Sequence, residues 1–347
     1  MRIAHVHKMR GIGGSERHLL TLLPALAERG HDVVFVGLDD PAWNPADFYD
    51  ALEVQAVRLR SGPLVLASLL RSLRADVVHT HLVHADVYGG VAARARGARL
   101  VSTKHNDDPF RLGPFRFVER GLGMIASRVV TITDALRAFN VERVGIPATK
   151  VETIHYGLDG LPHAWGENPA DGVPESARIL LSTARLTAQK GVDVAVRSLA
   201  SLPDDVVLVV LGEGPERATL TALARDLGVE RRVFLEGRVP DVAAWLRRAT
   251  AYVQPSRWEG FGLGVLEAMH AALPVVATRA SSLPELVLDG ETGLLVPVDD
   301  PDALAEALRR ALETPAALGE AGRARAQAEF SVARMADRHV DLYDRIA

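Results

Sequence analysis

The chain has 347 residues, 48% of them hydrophobic and 24% charged, with a formal net charge of −4 and no cysteine. That length supports two domains with full cores, and the absence of cysteine excludes disulfides, thiolate metal sites and a thiol nucleophile. The acidic balance argues against nucleic acid as the main partner, and no apolar run is long enough to span a bilayer.

The opening residues Met1–His7 read as a strand rather than a signal peptide. A helical pattern follows over Ser15–Arg29, with Pro24 expected to kink or restart it. Short β-branched runs then recur at Val33–Val36, Val77–His79, Leu100–Thr103, Val129–Ile132 and Val151–Ile154, with a helical segment at Leu64–Arg74. The segment from Gly157 to Ala177 has no periodicity and is rich in Gly, Pro, Asp, Glu and Asn. It reads as a linker between two domains. Strands resume at Ile179–Thr183, Val206–Leu211, Val233–Leu235, Ala251–Gln254 and Pro274–Ala277, and helices at Gly191–Leu202, Pro215–Leu227 and Pro301–Leu312. This alternation predicts βαβ units, hence parallel sheets. Continuous apolar strands such as Val206–Leu211 are those of sheets buried on both faces.

Charge is divided unevenly. Residues 1–155 carry 20 Lys and Arg against 16 Asp and Glu, giving +4. The remainder carries 20 against 28, giving −8, and the two sum to −4. A mildly basic first half suits an anionic acceptor or a membrane face, although chance asymmetry gives the same numbers.

In open α/β sheets, ligands bind beyond the carboxyl ends of the strands, and several strand ends here carry suggestive chemistry. After the first comes Gly11-Ile12-Gly13-Gly14-Ser15-Glu16, where Gly13 and Gly14 let a ligand approach the backbone and Ser15 can cap the next helix. After Ile179–Ala184 comes Arg185-Leu186-Thr187-Ala188-Gln189-Lys190-Gly191. Two cations at the mouth of a strand suit a diphosphate. After Ala251–Gln254 comes Glu259-Gly260-Phe261-Gly262-Leu263-Gly264-Val265-Leu266-Glu267. Glu259 is expected on the loop and Glu267 about two turns into a helix, so the two carboxylates could grip different ends of one ligand; the plainer reading is a Gly-rich loop with one carboxylate favouring the helix dipole.

These motifs, in this order and with His155-Tyr156-Gly157-Leu158-Asp159 between them, resemble the retaining family-4 glycosyltransferases of GT-B fold (glycosyl transferases group 1). The resemblance covers nearly the whole chain. It implies an α/β protein of two Rossmann-like domains facing across a cleft. An acceptor domain would span residues 1–157, a linker 158–177 and a nucleotide-sugar donor domain 178–330, with a helix over 331–347 crossing back to the first domain. The implied activity moves a sugar from a nucleoside-diphosphate sugar, UDP-sugar favoured over GDP-sugar, to an acceptor hydroxyl, with no cofactor.

The resemblance also implies roles for single residues. Arg185 and Lys190 would neutralise the donor diphosphate and stabilise the leaving nucleoside diphosphate. Glu259, with the backbone near Phe261, Gly262 and Leu263, would hold the donor sugar, and Glu267 the ribose. Gly14, beside Gly13, would let the first domain close on the diphosphate. Arg238 and Val239 would border the base. His105, at a strand end, would hydrogen-bond the sugar or the acceptor without acting as a nucleophile; the plainer reading is a polar histidine satisfied by Asp107 and Asp108.

His79 and His81 can share a strand face, with His84 close behind. No second cluster at fixed spacing accompanies them, and no metal ion is expected. The stretch Pro109–Arg120 mixes aromatics with arginines. It is expected to turn the aromatics inward and leave the arginines solvated, although it could meet a lipid-linked acceptor at a membrane surface. The expected setting is the cytoplasm, with contact to the cytoplasmic face of a membrane allowed. Three other readings stay open: a nucleotide-sugar epimerase of related architecture, an NAD-dependent dehydrogenase, and a silent sugar-nucleotide-binding protein.

Overall fold

The computed structural model describes residues 1–9, 12–40, 45–59, 63–106, 109–161 and 172–347. The chain divides into two units, Met1–Gly157 with Phe330–Ala347, and Leu158–Glu329.

The first unit alternates β1 (Arg2–Met9), α1 (Gly14–Glu28), β2 (Asp32–Asp39), α2 (Ala46–Asp50), β3 (Gln55–Leu59), α3 (Pro63–Leu73), β4 (Val77–His81), α4 (Leu82–Arg96), β5 (Arg99–Lys104), α5 (Phe115–Ile125), β6 (Arg128–Thr131), α6 (Asp134–Ala138) and β7 (Val151–Thr153). Its seven strands form one parallel sheet in the order β3-β2-β1-β4-β5-β6-β7.

The second unit runs through β8 (Arg178–Thr183), α7 (Val192–Leu199), β9 (Val206–Leu211), α8 (Arg217–Asp226), β10 (Val233–Gly237), α9 (Val242–Arg248), β11 (Ala251–Gln254), α10 (Leu263–His270), β12 (Val275–Thr278), α11 (Leu283–Leu286), β13 (Leu294–Val296), α12 (Pro301–Glu313) and α13 (Pro315–Glu329). Its sheet is also parallel, ordered β10-β9-β8-β11-β12-β13. The last helix, α14 (Val332–Asp344), belongs to the first unit, and its Met335, Ala336, Leu342 and Tyr343 share a core with Leu19, Leu22 and Leu26 of α1.

Both sheets are buried on both faces, as their apolar strands require. In the first unit, one face packs against α1 and α14, and the other against α3 and α4. Pro24 does not interrupt α1, which runs unbroken from Gly14 to Glu28. Proline forfeits its own bond to the carbonyl four residues back and crowds that carbonyl, and the burial of Leu19, Leu22, Leu23 and Leu26 around it offsets that cost. Ser15 is not the cap of α1. Gly13 holds that position, and Glu16 accepts from the Gly13 amide (3.0 Å) and the Ser15 hydroxyl (2.9 Å). Gly11 of the same motif lies outside the described residues.

Candidate active site

The second sheet departs in opposite directions from β8, toward β9 and β10 on one side and β11 and β12 on the other. The gap between β8 and β11 is therefore its switch point, where ligands bind in such sheets. The loop after β8 carries Arg185 and Lys190, and the loop after β11 carries Glu259.

The two loops meet. The Lys190 ammonium donates to both oxygens of Glu259, at 2.5 and 2.8 Å. Glu259 is only 6% exposed. Its Oε1 also accepts from Gln254 Nε2 (3.0 Å) and Ser256 Oγ (3.3 Å). Gln254 accepts in turn from the Tyr252 hydroxyl (3.0 Å), which itself accepts from Thr183 Oγ1 at 2.7 Å. A polar chain thus crosses from the end of β8 to the end of β11. Burial, reinforced by the Glu267 and Glu259 charges, pushes the Tyr252 phenol well above its ordinary range and keeps it a neutral donor.

The two loops are tied together at further points. Arg185 is exposed and donates to Gln189 Oε1 (3.3 Å), whose amide nitrogen donates to the Trp258 carbonyl (3.1 Å). Phe261 is buried, and Ser282 Oγ donates to the carbonyls of Phe261 (3.0 Å) and Glu259 (3.2 Å). Gly262 has φ +101°, a left-handed conformation that lets α10 start at Leu263. Glu267 is the fifth residue of α10, little more than one turn in rather than two, because the loop before it stays irregular through Gly262. Gly264 lies where a Cβ would be 2.2 Å from both Thr183 Oγ1 and Tyr252 OH, so the third glycine lets α10 close onto the polar chain. Arg238, exposed, and Val239, half-buried, follow β10, whose Gly237 carbonyl accepts from the Gly212 amide at 2.7 Å.

Sequence reading named Arg185, Lys190, Glu259 and Glu267 but missed Tyr252, Gln254, Ser256 and Ser282. The detectable signal was a Tyr and a Gln inside an otherwise apolar strand, Ala251–Gln254, where a buried polar group demands a partner.

In the first unit, His105 is 8% exposed and both its ring nitrogens are engaged, Nδ1 with the Tyr156 hydroxyl and Nε2 with His81 Nδ1 at 3.0 Å. Bonding a sugar would require it to release one of them. Asp107 and Asp108, the partners that the plainer reading gave it, lie outside the described residues. The chain of bonds continues from His81 Nε2 to His5 Nδ1 (3.0 Å), His5 Nε2 to Tyr343 OH (3.4 Å), Tyr343 OH to His79 Nδ1 (2.6 Å) and His79 Nε2 to Thr103 Oγ1 (2.7 Å).

His5 pairs with His79 in the β1–β4 register, and the ring nitrogens of His5, His79 and His81 lie within 4.8 Å of one another. The converging cluster that spacing failed to show therefore exists, assembled from strands more than seventy residues apart. Each of these nitrogens already has a hydrogen-bond partner.

Burial holds these imidazoles neutral. It pushes His5 down to about 3 and His339 to about 4, and it places His79, His81 and His105 well below the ordinary value. Below pH 6.5 the unfolded chain takes up protons that the folded unit refuses. Stability is therefore full above that pH and falls as the pH drops toward 4, by about 1.4 kcal/mol per pH unit for each such histidine. Urea unfolding at stepped pH should show this decline, and His339→Gln should reduce its slope by one proton. A flat profile between pH 7 and 5 would contradict the neutral core.

The sequence profile of Glycosyl transferases group 1 matches residues 166–328, and that of Glycosyltransferase Family 4 matches residues 12–159. A D-inositol 3-phosphate glycosyltransferase of Xylanimonas cellulosilytica is 31% identical over 346 residues, covering 85% of this chain and 82% of that one. The chain belongs to the family-4 glycosyltransferases. This family-4 glycosyltransferase is also 26% identical to the N-acetyl-alpha-D-glucosaminyl L-malate synthase of Bacillus anthracis, covering 96% of this chain and 94% of that one. Among solved structures, the HepE protein of Anabaena in complex with UDP and glucose superposes with a TM-score of 0.85 at 21% identity, covering 99% of this chain and 100% of that one. A glycosyltransferase from Rickettsia africae gives 0.83 at 19%, covering 99% and 98%. The fold is thus GT-B, and the activity is transfer of a glycosyl group, of the hexosyltransferase type.

Proposed function

We propose that this glycosyltransferase moves a sugar from a nucleoside-diphosphate sugar, UDP-linked in preference to GDP-linked, to an acceptor hydroxyl with retention of anomeric configuration and without a cofactor. The Lys190–Glu259 pair at the switch point carries this reading. An ammonium has three protons, and Glu259 takes two. The third, with the exposed Arg185 guanidinium, is available to the donor diphosphate, where charge grows as the nucleotide leaves. Fixed cations here do the work that a divalent ion does elsewhere. The UDP preference is supported by HepE, whose complexes hold UDP and UDP-glucose.

Glu259 is tied to a lysine, a glutamine and a serine, so it acts as a positioning group and sugar-hydroxyl acceptor rather than a nucleophile. Retention then proceeds on one face through an oxocarbenium-like state, with the leaving phosphate helping to deprotonate the acceptor, rather than through a covalent glycosyl-enzyme. Glu267 holds the ribose, Arg238 and Val239 border the base, and Gly13 and Gly14 approach the diphosphate. His105 exchanges its bond to His81 for a sugar or acceptor hydroxyl. The mildly basic first half favours an anionic or lipid-linked acceptor.

A thermal-shift panel of nucleoside diphosphates and their sugars tests the donor assignment, since a ligand that binds only the folded state raises Tm by mass action. UDP should give the largest shift, and Glu267→Ala should remove most of it. Equal shifts in Glu267→Ala and wild type would sink the ribose assignment, and a covalent sugar adduct trapped by mass spectrometry would sink the one-face mechanism.

A further inference from the structure

Helices α3, α4 and α5 all connect strands of the first sheet by right-handed crossovers, which places them on one side of it. They adjoin one another: a Cβ built on Gly90 of α4 would lie 3.4 Å from Ile125 Cδ1 of α5. Eight of the eleven large hydrophobic side chains exposed among the described residues lie on these helices. Leu64 on α3 is 82% exposed, Phe117 62% and Ile125 61% on α5, and Val87 and Val91 on α4 flank Gly90. Aromatics were expected to turn inward in this stretch. Phe117 turns outward because the helix spends its inward positions on Glu119 and Gly123.

Charge on this layer is one-signed. The only acids on the three helices are Asp86 and Glu119. Both are buried and ion-paired with Lys104, Asp86 at 2.6 Å and Glu119 at 3.1 Å. What remains on or just beyond the helices is Arg71, Arg74, Arg94, Arg96, Arg116 and Arg120. Among the described residues, none of these six forms an ion pair with an acid. Arg116 instead lies over the Phe117 ring, 4.8 Å from its centroid.

We propose that the α3–α4–α5 face docks on an anionic phospholipid bilayer. Apolar side chains beside unpaired arginines are the composition of a helix layer that lies in the headgroup region, where the arginine stems bury and their heads meet phosphate. A protein partner of ordinary surface would have to supply acids for six cations, with no exposed anion on these three helices to set register. No helix among the described residues is long and apolar enough to cross a membrane, so contact through these helices is peripheral. The proposal is independent of the donor assignment, because none of these residues belongs to the second unit.

The test is flotation of the whole protein with vesicles of phosphatidylcholine alone or of equimolar phosphatidylglycerol and phosphatidylcholine. Binding should be confined to the anionic vesicles and weaken as salt rises. Arg116→Gln/Arg120→Gln should weaken it about 25-fold, at about fivefold for each arginine neutralised. Phe117→Ser/Ile125→Ser should weaken it as well, while the thermal shift by UDP stays that of wild type in both variants. The proposal is overturned if anionic vesicles fail to capture the wild type, or if both variants bind as it does. It is also overturned if light scattering shows a dimer that Phe117→Ser/Ile125→Ser dissolves, since the face would then serve a second copy.

Discussion

Replacing Lys190 with alanine should lower kcat/KM for sugar transfer by about 10²–10³, the range for removing one group that stabilises transition-state charge. It should also destabilise the fold, by about 3 kcal/mol at the lower end for breaking a buried ion pair. Both effects have one origin. Lys190 is the only cation bonded to Glu259 among the described residues, and that carboxylate cannot be re-solvated at 6% exposure. The two losses separate in a double variant. Lys190→Met with Glu259→Gln removes both charges and keeps the shape, so most of the stability should return while transfer stays impaired. Tm and kcat/KM measured on the two single variants and the double one give the coupling directly. If Lys190→Met alone transfers sugar at the wild-type rate, the ammonium has no part in leaving-group stabilisation.

How far the sequence discloses this molecule depends on the distance over which each feature is encoded. The strands Val206–Leu211 and Ala251–Gln254 coincide with predicted runs, because a buried parallel strand must be continuously apolar. The β3 strand, Gln55–Leu59, escaped notice because it lies at the sheet edge and is mostly exposed, so no apolar run marks it. The α4 helix escaped because Gly and Ala pack closely on its buried face and blur the periodicity. Lys190 and Glu259 were each picked out from local motifs but given separate partners, phosphate and sugar. That they bond each other follows from β8 lying beside β11, a pairing of segments 69 residues apart that no local pattern carries. The histidine chain has the same cause. His5 and His79 meet only because β4 adds to the free edge of β1.

The largest stability effect should come from Lys104→Met, about 3–5 kcal/mol, the cost of leaving buried charge uncompensated. Lys104 is fully buried between Asp86 and Glu119. Asp86 is otherwise held by Thr80 Oγ1 (2.5 Å) and Ser102 Oγ (2.6 Å), and Glu119 by Arg111 at 3.5 Å. Two acids and two bases thus balance inside the first unit, and removing Lys104 leaves one net negative charge with no water to take it. The balance predicts a specific rescue. Lys104→Met combined with Asp86→Asn restores neutrality, so the double variant should be more stable than Lys104→Met alone, whereas independent sites would give the sum of two losses.

Urea unfolding at pH 7.5 measures all three variants. The consequence reaches His105, because Lys104 immediately precedes it, and Arg111 donates to the Asn106 carbonyl at 2.7 Å. The network therefore clamps the strand end on both sides of that histidine. It also draws Asp86 and Glu119 away from the outer surface of α4 and α5, which leaves that surface to arginine and apolar side chains. Strict additivity of the Lys104 and Asp86 substitutions would show that the charges do not act as one unit, and the clamp on His105 would then lose its basis.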